Sequence, residues 1–239
     1  MKPSVDHSWN LSLDQAEGLQ SDLAARLDRR PAFKDWREIR TVAAVVVEPG
    51  RLRAAAVVFR VSTLDVLKRA RGKVETSVLM PFVPGLESFR LVPVIEAALG
   101  RLTVRPDALM VEGDGVAHRR GFGLACHLGL RWDLPSFGVS SVCDFGEWED
   151  PPPGLEGGHV FIKEGGSPVG LVVRTRPYEA PLFLSVGHRM DLMSGLEILL
   201  ASLRGGREPQ PFLAARKFLS GAARKAVRRP TKSYNKRRG

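Results

Sequence analysis

The chain is poor in cysteine and aromatic residues and has no long apolar run, and these shortages exclude whole classes of protein. Cys126 and Cys143 are the only cysteines in 239 residues and sit in unrelated contexts. They are read as reduced thiols within the fold rather than as a disulfide or a zinc site. No hydrophobic run approaches the ~20 residues needed to span a bilayer. The opening Met1-Lys2-Pro3-Ser4-Val5-Asp6 lacks the apolar stretch of a secretory signal. No membrane association is therefore expected, and a cytoplasmic location is the default.

Acid is missing from two particular places. One is Val42–Val47, where every residue is apolar. The other is Arg216–Gly239, which carries ten Lys and Arg and no Asp or Glu; the remainder has 26 bases against 26 acids, so the net charge of +10 resides in this segment. A basic tail fits a polyanion through counterion release, most simply nucleic acid, DNA or RNA. It fits a solvated solubility tail almost as well.

The rest is ordinary for a globular chain, with 44% hydrophobic and 26% charged residues and enough length for one core. Ser12 and Gln15 form a capping box for an amphipathic helix over about 12–29, ended by Pro31. Three strands follow, Thr41–Glu48, Leu52–Val61 and Val66–Val78, joined by short turns as an antiparallel meander. A helix over Pro84–Leu99, with Pro93 as a kink, leads to a strand at Asp107–Glu112. Next come a helix at Gly121–Leu130, a strand at Pro135–Val142, a hairpin of His159–Lys163 with Val169–Arg174, and a strand at Leu182–Val186. Helices over Met190–Leu203 and Pro211–Val227 close the chain. The order β-β-β-α-β-α-β describes an α/β protein with a mixed sheet flanked by helices. One domain is expected over 1–215, with a basic helix end and tail over 216–239.

Polar groups gather where strands end and loops diverge. Val111–Gly129 (V-E-G-D-G-V-A-H-R-R-G-F-G-L-A-C-H-L-G) delivers Glu112 and Asp114 at a strand's carboxyl end, among glycines and before His118, Arg119 and Arg120. Pro81–Arg90 (P-F-V-P-G-L-E-S-F-R) is a short aromatic loop stiffened by two prolines, and Gly187-His188-Arg189 follows a strand. Magnesium takes oxygen ligands, so one or two carboxylates with phosphate suffice to hold it. Such an ion activates water for phosphodiester hydrolysis, with a nearby histidine as proton donor.

Together these segments resemble the endonuclease V family, which recognises deaminated purines such as inosine and cuts the strand to the 3′ side. The resemblance covers about residues 38–205. It is carried by Pro81-Phe82-Val83-Pro84-Gly85 with Phe89-Arg90, by Val111–Gly129, by Pro135 with Gly138-Val139, and by Pro181-Leu182-Phe183 with Val186-Gly187-His188-Arg189. It implies an RNase H-like fold, a role in DNA repair and a nucleic-acid partner, with no indication of a protein partner or an oligomer. It also implies that Phe82, Val83, Pro84 and Gly85 act as a wedge at the lesion. Gly113 and Gly115 would allow close backbone approach to a flipped base, and His118, Arg119 and Arg120 would meet phosphates.

The departures fall on the metal site. The family's first aspartate corresponds to Val46 and the acid after its F-R pair to Leu91. Its third aspartate corresponds to Glu112, and its lysine falls near Ser140-Ser141. Its histidine is retained at His188. The resemblance leaves Glu112 and His188 as catalytic candidates and Glu112 as the metal ligand, with magnesium or manganese as cofactor if the chain is active and none otherwise. A hydrocarbon side chain cannot ligate magnesium, and a buried carboxylate without its ion is costly to keep. The leading expectation is a nucleic-acid-binding pseudoenzyme that recognises deaminated or modified bases with cleavage weak or lost. A second reading is an active magnesium- or manganese-dependent phosphodiesterase with ligands relocated to Glu87, Glu112 and Asp114, or to Asp191. A third is a protein-interaction module with a vestigial site.

Overall fold

The computed structural model describes residues 3–75 and 80–221. Helix α1 (Leu13–Ala25) is capped by the expected Ser12–Gln15 box. Strands β1 (Thr41–Glu48), β2 (Arg53–Arg60) and β3 (Val66–Lys73) form the antiparallel meander. Helix α2 (Glu87–Leu99) crosses to β4 (Ala108–Glu112), which lies parallel to β1. Helix α3 (Leu124–Trp132) then crosses to β5 (Ser136–Ser140), parallel to β4. Three further strands, β6 (His159–Glu164), β7 (Ser167–Val173) and β8 (Leu182–Val186), complete a sheet of order β3-β2-β1-β4-β5-β8-β7-β6. Helices α4 (Leu192–Ala201) and α5 (Gln210–Ser220) follow.

The central strands are continuously apolar because both faces are covered. Ala43, Val45, Leu109 and Val111 pack against α2 and α3. The alternate residues Val42, Ala44, Val46 and Met110 pack against α4 and α5. This period-two division decides what can sit at the strand ends: Val46 and Glu112 share the α5 face, whereas Leu91 on α2 belongs to the other layer.

Element ends differ from expectation where backbone geometry intervenes. α1 stops at Ala25 rather than near 29, because residue 28 is claimed by tertiary bonds: its N–H donates to His188 Nδ1 at 3.2 Å and its carbonyl accepts from Arg189 N–H at 2.6 Å. α2 begins at Glu87 rather than Pro84 because Gly85 is left-handed (φ +83°), and α3 begins at Leu124 because Gly121 is too (φ +61°). β3 ends at Lys73, with residues 76–78 of the expected strand outside the described residues. α5 ends at Ser220 before a left-handed Gly221, and the expected extension to Val227, with tail residues 222–239, also lies outside them.

The N-terminal segment is strapped along α3. Arg131, its side chain only 6% exposed, pairs with Glu96 on α2, with Asp6 at 3.0 Å, and donates to the Val5 carbonyl at 2.6 Å. His7 Nε2 meets His127 Nε2 at 2.8 Å. Truncating one partner of a buried pair strands the other charge. Arg131→Ala should therefore lower unfolding free energy by about 3 kcal/mol in urea titrations and expose residues 3–11 to limited proteolysis.

Candidate functional site

At the carboxyl ends of β1 and β4, the parallel register Val45↔Val111 places Val46 beside Glu112. Val46 is 1% exposed and packed in the core. Glu112 is not free: one carboxylate oxygen accepts from Arg216 Nη2, while Arg216 Nη1 donates to Glu208 at 2.5 Å. Arg216 is delivered by α5, whose Phe212, Ala215 and Leu219 bury against the sheet. Phe218 on the same helix lies under the guanidinium of Arg71, 4.0 Å from the ring centroid. The planar fork of arginine suits two carboxylates, and it occupies Glu112 with a permanent cation.

This arrangement does not fit a divalent ion. Magnesium and manganese need oxygen ligands, yet Val46 and Leu91 are hydrocarbons and Glu112 is bonded to a guanidinium. Among the described residues, no three His, Cys, Asp or Glu side chains are grouped so as to hold a metal. Glu87, Glu112 and Asp114 line one cavity but do not form such a group. Asp191 is engaged as the N-cap of α4, accepting from Ser194 N–H at 2.9 Å.

Beside this strand end lies a cavity of about 380 Å³ bounded by Leu91, Glu112–Asp114, His118 and Gly123, with Glu87 and Asp144 at its sides. The glycine loop forms one wall by close approach. Gly115 N–H donates to Ser185 Oγ at 2.6 Å, and a Cβ on Gly115 would lie 2.1 Å from the Val186 carbonyl oxygen, so no larger residue fits. Burial, then the like charges of Asp144 and Glu87, push the Asp114 carboxyl up to about 6. Burial lowers the His118 imidazole, which is 9% exposed.

The aromatic loop leads into Glu87, the first cavity-lining residue of α2. Gly85 takes the left-handed turn, and its carbonyl accepts from Gln20 Nε2 at 3.0 Å and Arg120 Nη2 at 3.2 Å. At the other end, Arg90 Nη1 donates to the Met80 carbonyl at 2.6 Å. Val83 packs beneath, against Met80, Leu86 and Phe89. Held at both ends, the loop presents Phe82 to solvent at 60% exposure, with Pro84 also exposed.

The family model for endonuclease V matches residues 21–217. The chain belongs to the endonuclease V family. Endonuclease V from Roseiflexus castenholzii is 37% identical over 215 residues, 90% of this chain and 95% of the relative. The crystal structure of endonuclease V from Streptomyces avermitilis superposes with a TM-score of 0.79 at 33% identity, covering 94% of this chain and 98% of that one. A single-residue variant of Ciona intestinalis endonuclease V, solved in complex with a 23mer DNA containing an inosine followed by a ribo-adenosine, has a TM-score of 0.71 at 18% identity, covering 90% of this chain and 99% of that one. The RNase H-like mixed sheet expected from the sequence is thus the fold observed.

Within this endonuclease V framework, the expected site residues separate. Gly113 and His118 line the cavity, whereas Phe82, Val83, Pro84 and Gly85 form the separate loop that leads into Glu87 on its wall and is tied through Gly85 to Arg120. His188 does not join them. Its Nδ1 accepts from Asp28 N–H and its Nε2 lies 3.4 Å from Asp133, while its carbonyl accepts from Ser136 at the start of β5. Glu112 is instead level with Val139, so His188 sits toward the opposite end of α3 from the cavity. Arg120 is engaged by Gly85, Gln20 and Glu17 rather than left for phosphate, whereas Arg119 is exposed.

Several determinants escaped sequence reasoning. Gln20 is fully buried and joins the aromatic loop to the Phe122 carbonyl at 2.8 Å, but in the sequence it is one polar residue on an amphipathic helix. Arg216 was read only as the start of a basic run; its sole signal was its place next to the apolar positions Phe212, Ala215 and Leu219. Asp144 was hidden because it comes from a loop after β5. His127 packs among Trp9, Phe89 and Phe122 and meets Ser88 Oγ at 3.1 Å, and burial drives its pKa well down.

A carboxyl with a raised folded-state pKa favours the fold below the ordinary aspartate range and loses that contribution as pH rises through the folded value. Asp114→Asn should therefore raise stability by about 2–3 kcal/mol at pH 8 and change little at pH 4, read from urea unfolding at both pH values. The protein should show no Mn²⁺ uptake at Glu112 by electron paramagnetic resonance, whereas a Val46→Asp, Arg216→Gln double variant, which pairs two carboxylates on one face and frees Glu112, should gain a site.

Proposed function

We propose that this protein is a nucleic-acid-binding member of the endonuclease V family that recognises a modified base and does not cleave the strand by a metal-dependent route. Inosine is the first candidate, by analogy with the DNA bound to the Ciona protein. The observation that carries the reading is the contrast at one strand end: Glu112 is bonded to Arg216 beside a buried Val46, while Gly113 and Asp114 keep a cavity open and the anchored loop leading into its Glu87 wall keeps the Phe82 ring exposed.

The chemistry divides accordingly. Extruding a base costs a few kcal/mol, least for a mismatched or damaged one, and an exposed ring stacks into the gap it leaves. A cavity lined by Glu87, Asp114 and Asp144 repels phosphate but accepts the N–H edge of a base through carboxyl and backbone oxygens. His118 supplies a neutral ring at the same wall. Backbone phosphates are met outside the cavity, with Arg119 and the basic Lys217–Gly239 segment supplying the charge. Hydrolysis would need an ion to activate water, and the Glu112 environment opposes one.

The test is fluorescence polarisation with inosine-containing and plain strands, single and duplex, in EDTA and in Mn²⁺. Binding should be equal in the two buffers and favour inosine. Phe82→Ala should weaken it roughly 10-fold, since base–aromatic stacking contributes about 1–3 kcal/mol. No product should form in Mn²⁺ at enzyme excess. Failure of every strand to bind at low salt, or cleavage abolished by Glu112→Gln, would overturn the proposal.

A further inference from the structure

A second cavity lies at the other end of β1. Arg40 immediately precedes β1 and Arg60 closes β2, and the register Thr41↔Arg60 sets them side by side. Arg37 comes from the single helical turn Trp36–Glu38, and Arg204 follows α4. These four arginines rim one cavity of about 530 Å³, and no carboxylate is among its lining residues. Val46 is five strand residues from Thr41, so the cavity is separated from the Glu112 strand end by on the order of 17 Å.

The charge is largely uncompensated. Arg37 pairs with Asp35 at 3.2 Å, an exposed contact worth little. Arg40, Arg60 and Arg204 make no salt bridge among the described residues. Arg204 is steadied by donation to the Leu203 carbonyl at 2.8 Å, which fixes its place at the end of α4. Four arginines rimming one cavity make its mouth strongly positive, and their forked donors match phosphate oxygens.

Phosphate alone would leave half the cavity unused. Its floor is apolar: Ile39 is 4% and Val61 5% exposed, with Ala201 adjoining and Trp36 at the side. A volume of 530 Å³ is within the range of small-molecule sites, about 300–1,000 Å³. A ligand with one polyanionic end and one flat, weakly polar end satisfies both halves. We propose that this cavity binds a nucleoside phosphate, with the phosphate on the arginine rim and the base against the Ile39–Val61 floor. The shared chemistry admits two sources, a free mononucleotide or the 5′-phosphorylated end of a strand.

Isothermal titration of the full chain at low salt with adenosine 5′-monophosphate, adenosine and inorganic phosphate tests this directly. The monophosphate should bind at least 10-fold more tightly than either fragment. A double variant, Arg60→Gln with Arg204→Gln, should lose at least 10-fold in affinity; both positions are exposed, and an unchanged Tm confirms its fold. Phe82→Ala should leave this binding intact, which separates the site from the aromatic loop and from the fate of the base-recognition reading. A matched pair of oligonucleotides, 5′-phosphorylated and 5′-hydroxyl, then assigns the source. A 10-fold gain from the phosphate, lost in the double variant, supports a strand end, and a gain confined to the mononucleotide supports a free ligand. Binding of the monophosphate no tighter than inorganic phosphate, or unchanged in the double variant, would overturn the proposal.

Discussion

The docking of α5 across the sheet governs the chemistry of this molecule. Phe212, Ala215 and Leu219 bury against β1 and β2, and that packing holds Arg216 over the end of β4. A half-exposed ion pair contributes only about 1 kcal/mol to stability. Its larger consequence is electrostatic, because a fixed positive charge now occupies the carboxylate that would draw a divalent ion. With Val46 filling the neighbouring position with hydrocarbon, the strand end is both less anionic and drier than a metal centre requires.

The loops around the cavity depend on a different resource. Gln20 and Arg120 converge on the Gly85 carbonyl, Arg90 holds Met80, and Gly115 lies so close to β8 that a methyl group would collide with the Val186 carbonyl. These are constraints of backbone shape and hydrogen bonding. They are indifferent to whether Glu112 has a metal, and they keep Phe82 in the open while the loop beneath it is rigid.

The sheet was legible because its signals are local and repetitive. β-branched and alanine runs at 41–48 and 53–60, a Pro-Gly turn between them, and helices between parallel strands leave few topologies. Helix starts were misplaced where glycine conformation decides, at Gly85 and Gly121, since a left-handed φ is not visible in composition. The candidate site was legible in part. The aromatic loop and the glycine wall are contiguous motifs, and the apolar residues at 46 and 91 were visible as missing acids. Arg216, Gln20 and Asp144 were not, because each acts on a residue far away in sequence: Arg216 is 104 residues from Glu112, and Gln20 is 65 from Gly85. His188 lies apart from this cavity. A motif match located it, but β8 runs antiparallel to β5 and carries it to the start of β5 rather than toward Glu112.

Recognition and cleavage make different demands on this fold. Reading a base needs a cavity of fixed shape, a few oxygens and an exposed ring, and these survive changes that preserve glycine geometry and loop anchoring. Cutting needs several carboxylates aimed at one point, and each is a single side chain whose loss leaves the packing unharmed. Replacing one acid by valine even relieves the desolvation of an unpaired charge. Arg216 neutralises Glu112 here and leaves the loops undisturbed. The carboxyls at Glu87, Asp114 and Asp144 line the cavity without forming a metal-holding group among the described residues, and their charge favours a hydrogen-bond donor over a phosphate at that wall.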